Sequence, residues 1–136
     1  MKMPTDIPAE MIASCGINCL ACSANLTDKC ATCRSPVEKQ KRVSCRNCKI
    51  RNCAVEKGNH WCFECDDFPC DKTKNLYKRY QKKYHLDLTK DGLEAKNNLP
   101  SFLEAVKIRY TCTVCGGVID LHHQKCSECN HQLTDY

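Results

Sequence analysis

Large apolar side chains are scarce in this sequence. Its 136 residues include three Phe and one Trp, and the mean hydropathy is -0.55. Burial of so few large apolar groups cannot by itself offset the conformational entropy of the chain. A second source of stability is therefore required, either disulfide bonds or metal ions.

Signals for export, membrane insertion and common catalytic chemistries are also missing. Residues 1–14 contain Asp6, Glu10 and two prolines, and no seven-residue apolar run of the kind found in export signals. No stretch has membrane-spanning length. Glycine-rich phosphate loops and Ser-His-Asp arrangements are absent, so no catalytic residue is assigned. We expect a cytoplasmic protein without a membrane partner, in a compartment that keeps thiols reduced.

Cysteine, in contrast, is abundant, with 15 residues. The odd number would leave one thiol over in a disulfide framework. Six pairs have Cys-x-x-Cys spacing, which lets two thiolates from one tight turn bind the same ion. The pairs are Cys19/Cys22, Cys30/Cys33, Cys45/Cys48, Cys62/Cys65, Cys112/Cys115 and Cys126/Cys129. These patterns favour metal over disulfides.

Metal binding changes the meaning of the net charge. The formal value of +5 counts every Cys as a neutral thiol, whereas metal ligands are thiolates. With all 15 ionised and four divalent ions bound, fifteen negative and eight positive charges change the net charge by about -7, from +5 to about -2. The Lys and Arg residues are then expected to balance metal–sulfur centres. A nucleic-acid-binding zinc-ribbon adaptor is a less favoured alternative.

The distribution of Cys divides the chain into three segments. Residues 1–70 form a Cys-rich metal-binding region, expected to consist of loops and short turns. Residues 71–109 form a helical segment, and residues 110–136 form a C-terminal zinc ribbon. The predicted fold is a small metal-stabilised α+β structure with a zinc-knuckle region, a short helical segment and this ribbon.

Two helices and one strand are predicted after residue 70. Apolar residues recur with helical spacing over about 71–85, with lysines on the opposite face. A turn is predicted at 87–92, and Ser101 with Glu104 forms a capping-box pattern ahead of a second helix that Pro100 begins. Residues 118–121 predict a short strand or hairpin arm.

The ribbon contains the most specific ligand pattern, two Cys-x-x-Cys pairs separated by ten residues. Its predicted ligands are Cys112, Cys115, Cys126 and Cys129. Such knuckles often need positive φ at the next residue, which Gly116 allows freely and Asn130 tolerates. Four thiolates with no open position predict a structural zinc ion.

The N-terminal region holds twelve further candidate metal ligands, enough for three four-coordinate sites. They are Cys15, Cys19, Cys22, Cys30, Cys33, Cys45, Cys48, Cys53, His60, Cys62, Cys65 and Cys70. One assignment joins the first two Cys-x-x-Cys pairs, joins the next two, and leaves the other four ligands for a third site. Alternatively only two ions bind here, with His60 at the surface and one or two Cys without metal. The whole chain is expected to bind three or four zinc ions.

An iron–sulfur cluster in the N-terminal region is the alternative cofactor. The spacing of Cys15, Cys19 and Cys22 is that of the [4Fe–4S] motif in radical S-adenosylmethionine enzymes, and Phe68-Pro69-Cys70 is similar to ferredoxin sequences. The chain is too short for the barrel of those radical enzymes. Because tetrahedral sulfur sites suit both metals, an iron–sulfur redox or electron-transfer protein remains the second hypothesis.

These motifs resemble the DUF3795 family of small cysteine-rich proteins from bacteria and archaea. The resemblance is carried by Cys15-Gly-Ile-Asn-Cys19-Leu-Ala-Cys22, Cys30-Ala-Thr-Cys33, Cys48-Lys-Ile-Arg-Asn-Cys53-Ala-Val-Glu-Lys-Gly58 and Cys62-Phe-Glu-Cys65-Asp-Asp-Phe-Pro-Cys70. It extends over nearly the whole chain, since such proteins often continue into a helical segment and a Cys-x-x-Cys-Gly ribbon. The resemblance implies metal binding, usually supposed to be zinc, and no particular reaction. The expected function is a multi-zinc structural or interaction module whose partner is another protein.

Overall fold

The computed structural model describes residues 1–27, 29–30, 37–39 and 47–133. This part of the chain is mostly helical and contains one two-stranded sheet. Its α-helices are α1 (Ser23–Leu26), α2 (Lys49–Glu56), α3 (Asp71–Tyr84), α4 (Leu88–Asn97) and α5 (Leu99–Tyr110). Single 3-10 turns occupy Ala9–Met11, Cys19–Ala21, Val37–Lys39 and Cys62–Glu64. None of the described helices has the length and apolar character needed to cross a membrane.

Helix α2 departs from the loops and turns predicted for the N-terminal region. Its buried side chains are Arg51 and Ala54, three residues apart on one face. An arginine at a buried position and a small alanine produce no clear apolar periodicity, so the helix was not apparent from the sequence.

Helix α3 confirms the first predicted helix. Tyr77 is buried on its inner face, where the phenol donates a hydrogen bond to the Cys15 carbonyl over 2.8 Å. The lysines of the outer face are exposed at positions 74, 78, 82 and 83. The helix ends at Tyr84. The next residue, His85, is its C-cap and adopts the left-handed conformation common at helix C-termini.

Helix α4 lies where a turn was predicted at 87–92, and that prediction was wrong. The Asp87 carboxylate accepts a hydrogen bond from the Lys90 N–H at 3.0 Å and caps the helix. Gly92 lies inside this helix. An added Cβ at this position would lie 2.5 Å from the Phe68 ring and 3.2 Å from the Phe63 Cβ, so a larger residue would not fit. The glycine permits close packing and does not mark a turn.

Helix α5 confirms the second predicted helix but begins earlier than its capping pattern indicated. The Asn98 side chain accepts a hydrogen bond from the Ser101 N–H at 3.1 Å, so Asn98 is the N-cap. Ser101 therefore lies within the first turn and does not cap it. Pro100 also occupies this turn, where a missing N–H costs no helical hydrogen bond.

The sheet is a short antiparallel hairpin of β1 (Ile119–Asp120) and β2 (Lys125–Cys126). Ile119 lies opposite Cys126, and Asp120 lies opposite Lys125. This confirms the strand predicted at 118–121. A bridge between Thr111 and Val118 connects the hairpin to the end of α5. The hairpin thus sets the distance between the two C-terminal cysteine pairs.

One cluster of buried side chains draws on all three of the predicted segments. Its members are Ile7, Ile12, Leu20, Ala21, Phe63, Ala95, Phe102, Val106, Tyr110, Cys112, Val118, Ile119, Leu121 and Cys126. A smaller cluster contains Tyr77, Leu86 and Leu88. Cys112 and Cys126 therefore belong to the same core as the N-terminal turn Cys19–Ala21.

An ion pair joins α4 to α5. Arg109 donates hydrogen bonds to both carboxylate oxygens of Asp91, at 3.1 and 3.3 Å. The Asp91 side chain is 9% exposed and that of Arg109 is 39% exposed. Burial raises the pKa of Asp91, and Arg109 only partly counters this effect. The ionised form of Asp91 therefore depends on the guanidinium.

We expect Arg109→Ala to destabilise the fold more than Asp91→Asn. Loss of the cation leaves a buried carboxylate unpaired, at a cost of about 1–3 kcal/mol at neutral pH. Denaturant unfolding of both variants measures the difference. The raised pKa means that the Asp91 carboxylate binds a proton more readily in the folded state than in the unfolded state. The loss of stability caused by Arg109→Ala should therefore shrink as the pH falls through the pKa of Asp91. Equal losses that do not change with pH would contradict this expectation.

Candidate metal centre

Four cysteine sulfurs converge near the C-terminal end of the described chain. The sulfurs of Cys112, Cys115, Cys126 and Cys129 all lie within 4.8 Å of one another. The Cys112–Cys129 and Cys115–Cys126 sulfur pairs are 3.8 and 3.5 Å apart. Tetrahedral coordination with Zn–S bonds of about 2.3 Å places sulfurs about 3.8 Å apart. The donor set therefore fits a single tetrahedral thiophilic ion, with these four residues as its ligands.

Each cysteine pair is held by a tight turn whose backbone amides point at sulfur. In the first turn, the Gly116 N–H donates to the Cys112 carbonyl at 2.9 Å and the Gly117 N–H donates to the Cys115 sulfur at 3.4 Å. Gly116 has a φ of 77°, which confirms the conformation predicted for it.

The second turn repeats the geometry of the first. The Asn130 N–H donates to the Cys126 carbonyl at 3.2 Å, and the Glu128 N–H donates to the Cys126 sulfur at 3.4 Å. Asn130 has a φ of 62°, as predicted from its position after the second pair. The two turns are thus similarly built, and the hairpin holds them face to face.

The first residues of the chain cover the first turn. The Met3 N–H donates to the Gly116 carbonyl at 3.0 Å, and the Val118 N–H donates to the Met1 carbonyl at 2.7 Å. The Lys2 ammonium donates to the Cys115 carbonyl at 2.7 Å. A cation therefore lies beside sulfurs that become anionic when they bind metal.

Charge is unevenly shared among the four thiols. Burial raises the pKa of Cys126, but the amides of Cys129 and Glu128 and the thiols of Cys115 and Cys112 lower it overall, to about 6. At Cys129 the His131 amide lowers the pKa, but burial and the neighbouring sulfurs raise it overall to about 11. Without metal, Cys126 therefore ionises more readily than Cys129. A metal ion would displace the proton that Cys129 retains, so its affinity should rise with pH.

The predicted N-terminal ligands are arranged less compactly. Within the described residues no disulfide forms, and no three N-terminal ligand atoms lie as close together as the C-terminal four. Cys33 and Cys45 lie outside the described residues. Cys19 is buried in the turn Cys19–Ala21, whereas Cys15, Cys22 and Cys30 are half-buried. Burial raises the pKa of Cys22, and the nearby Cys30 raises it further.

The other N-terminal ligands lie on and around α2 and the start of α3. Cys48 and Cys70 occupy the N-cap positions of α2 and α3, and Cys53 lies within α2. Cys62 and Cys65 are joined by the 3-10 turn Cys62–Glu64. His60 is exposed, its backbone N–H donates to Glu64 at 2.7 Å, and its ring centroid lies 5.7 Å from that of Trp61. Its role as a ligand stays a prediction.

His122 has a structural role that the sequence did not reveal. Its side chain is only 16% exposed. Its Nδ1 accepts a hydrogen bond from the Ser23 N–H at 3.2 Å, which places the proton of a neutral ring on Nε2, 2.9 Å from the Tyr80 hydroxyl. No local pattern signals this role, because Ser23 and Tyr80 are distant in sequence. His122 links the C-terminal unit to α1 and α3.

Comparison with known proteins identifies the N-terminal region. The family model described as "Protein of unknown function (DUF3795)" matches residues 11–75. The match is shorter than the resemblance in the sequence suggested, and the four C-terminal cysteines lie outside it. Neither the curated proteins nor the solved structures gave a match. The match confirms the resemblance to the DUF3795 family over residues 11–75.

Proposed function

We propose that this chain is a cytoplasmic multi-zinc module whose ions hold the fold and whose surface serves a protein partner. The observation that carries the proposal is the convergence of four sulfurs in the C-terminal unit at tetrahedral spacing. Two amide-lined turns on a hairpin are the usual construction of a zinc ribbon. A single zinc ion is favoured at this site because the sulfur separations of 3.5 and 3.8 Å fit one tetrahedral ion, whereas an iron–sulfur cube holds its cysteine sulfurs farther apart.

A structural role for the ion follows from its ligand set. Four protein sulfurs complete the tetrahedral shell and leave no position for water or substrate, in contrast to catalytic zinc sites. Structural zinc contributes on the order of 10 kcal/mol of apparent binding free energy near neutral pH. A protein partner would therefore contact surface residues whose positions depend on the ions, and would not bind the ions directly.

Metal analysis of protein purified without oxygen tests the proposal. We expect three or four zinc ions per chain, a colourless solution, and loss of helical circular dichroism when a strong chelator removes the metal. Cobalt substitution should give the visible bands of tetrahedral thiolate coordination.

Two results would count against this function. An unchanged spectrum after verified metal removal would show that the ions are not structural. Iron with stoichiometric sulfide in place of zinc at every centre would favour the iron–sulfur redox protein instead.

A further inference from the structure

Four further cysteines lie in the region where α2 faces the start of α3. They are Cys53, Cys62, Cys65 and Cys70, and all four are half-buried. Cys53 comes from the middle of α2, Cys62 and Cys65 from one 3-10 turn, and Cys70 from the N-cap of α3. Helices α2 and α3 pack against each other. Three separate elements thus direct sulfur toward one region.

Two lysines contact these sulfurs directly and connect the three elements. The Lys72 ammonium, in the first turn of α3, lies 3.3 Å from the Cys53 sulfur on α2. The Lys57 ammonium, at the end of α2, lies 3.4 Å from the Cys65 sulfur. The first contact brings Cys53 beside the segment that holds Cys70, and the second brings α2 beside the turn that holds Cys62. The same ammonium groups would offset the negative charge of a tetrathiolate centre.

The electrostatic environment of Cys62 agrees with these contacts. The sulfurs of Cys70, Cys53 and Cys65 lie close enough to the Cys62 sulfur to interact with it electrostatically. Cys62 is therefore near the other three members of the group. Cys48 also interacts with it, but Cys48 lies at the opposite end of α2 from Lys57, and neither lysine contact involves it.

From this geometry we infer that Cys53, Cys62, Cys65 and Cys70 share one thiolate metal centre, with Lys57 and Lys72 beside it. The inference rests on the proposed function as a metal-binding module and adds which cysteines act together. It replaces the assignment that placed Cys53 and Cys70 with Cys15 and His60, apart from Cys62. The ligand is a thiophilic metal, either one zinc ion or one iron–sulfur cluster.

No three of these sulfurs lie within 4.8 Å of one another, in contrast to the C-terminal four. A single zinc ion would draw them together, whereas an iron–sulfur cube holds its cysteine sulfurs farther apart than one ion does. Assays of zinc, iron and acid-labile sulfide on the purified protein distinguish one zinc ion from one iron–sulfur cluster. Either of these ligands is compatible with a shared centre.

Counting metal in single and double variants tests the grouping. Native mass spectrometry of Cys53→Ser, Cys62→Ser and the double variant should show the same loss, one ion or one cluster per chain, in all three. If the double variant loses two centres while each single variant loses one, Cys53 and Cys62 serve different centres and the grouping is wrong. It is also wrong if the single variants keep all the metal of the unsubstituted protein.

A second measurement covers variants that fail to fold. In the unsubstituted protein, stepwise chelation followed by thiol alkylation should expose Cys53, Cys62, Cys65 and Cys70 in the same step. Exposure in different steps would overturn the inference. Protection of Cys112 and Cys126 in the same samples reports the C-terminal centre separately, and metal-free purified protein would refute the proposed function itself.

Discussion

Cys126→Ser is expected to remove one metal ion per chain and to unfold the C-terminal unit. Cys126 is 1% exposed, belongs to β2 and carries the thiol with the lowered pKa in its group. Serine offers a poor ligand for a thiophilic ion. Because Cys112, Val118, Ile119 and Leu121 share the main core, the loss should reach α5 and the turn Cys19–Ala21. We expect a destabilisation of at least about 4 kcal/mol, as for other mutations that remove a metal.

Val114→Ser is the matched control for this prediction. Val114 lies between Cys112 and Cys115 in the same unit, but its side chain is 64% exposed and is not a ligand. The control should keep all of its metal and melt within a few degrees of the unsubstituted protein. Metal counting by mass spectrometry and thermal melting by circular dichroism check both variants. Full metal content in Cys126→Ser would rule out its role as a ligand.

Gly117→Ala is expected to have the second largest effect. An added Cβ would lie 2.7 Å from the Glu128 Cγ and 2.9 Å from the Cys126 sulfur, so the two turns would have to move apart. Forced separation of well-packed groups costs about 1–3 kcal/mol. The same movement should weaken metal affinity, because it displaces one ligand from the tetrahedral arrangement. Competition between cobalt and zinc, followed by visible absorption, measures the affinity.

Gly116→Asn separates this clash from a general intolerance of substitution. Gly116 has positive φ, but no atom beyond its chain neighbours lies within 4 Å of its added Cβ. Asn130 already occupies the corresponding position of the second turn with similar geometry. We therefore expect Gly116→Asn to cost less than about 1 kcal/mol and to keep its metal affinity. Similar behaviour of Gly116→Asn and Gly117→Ala would contradict the packing argument.

Features that depend on local spacing were predictable from the sequence. The Cys-x-x-Cys pairs and the residues that follow them predicted the two C-terminal turns, because the hydrogen bonds of each turn are made among neighbours. Tyr77, with its apolar neighbours on α3, identified that helix by periodicity. The resemblance to the DUF3795 family, which the family model confirms over residues 11–75, also followed from motif spacing.

Features that depend on distant contacts were not predictable. Gly92 suggested a turn, and only the approach of Phe68 and Phe63 explains its place inside α4. His122 is held by Ser23 and Tyr80, which are remote along the chain. The partition of the N-terminal cysteines among centres also depends on such contacts, since Lys72 and Cys53 come together through the packing of two helices. Spacing identifies candidate ligands but not the centre that each one joins.

The links between the C-terminal unit and the N-terminal region have a thermodynamic consequence. The Leu121 N–H donates to the Ala21 carbonyl at 2.9 Å, and the His122 ring accepts from the Ser23 N–H. When metal orders the C-terminal unit, these contacts also order metal ligands of the N-terminal region, and the reverse holds. Metal bound in one region should therefore increase the metal affinity of the other. Loading would then be cooperative, and a substoichiometric titration would yield a mixture of empty and fully loaded molecules with few species in between.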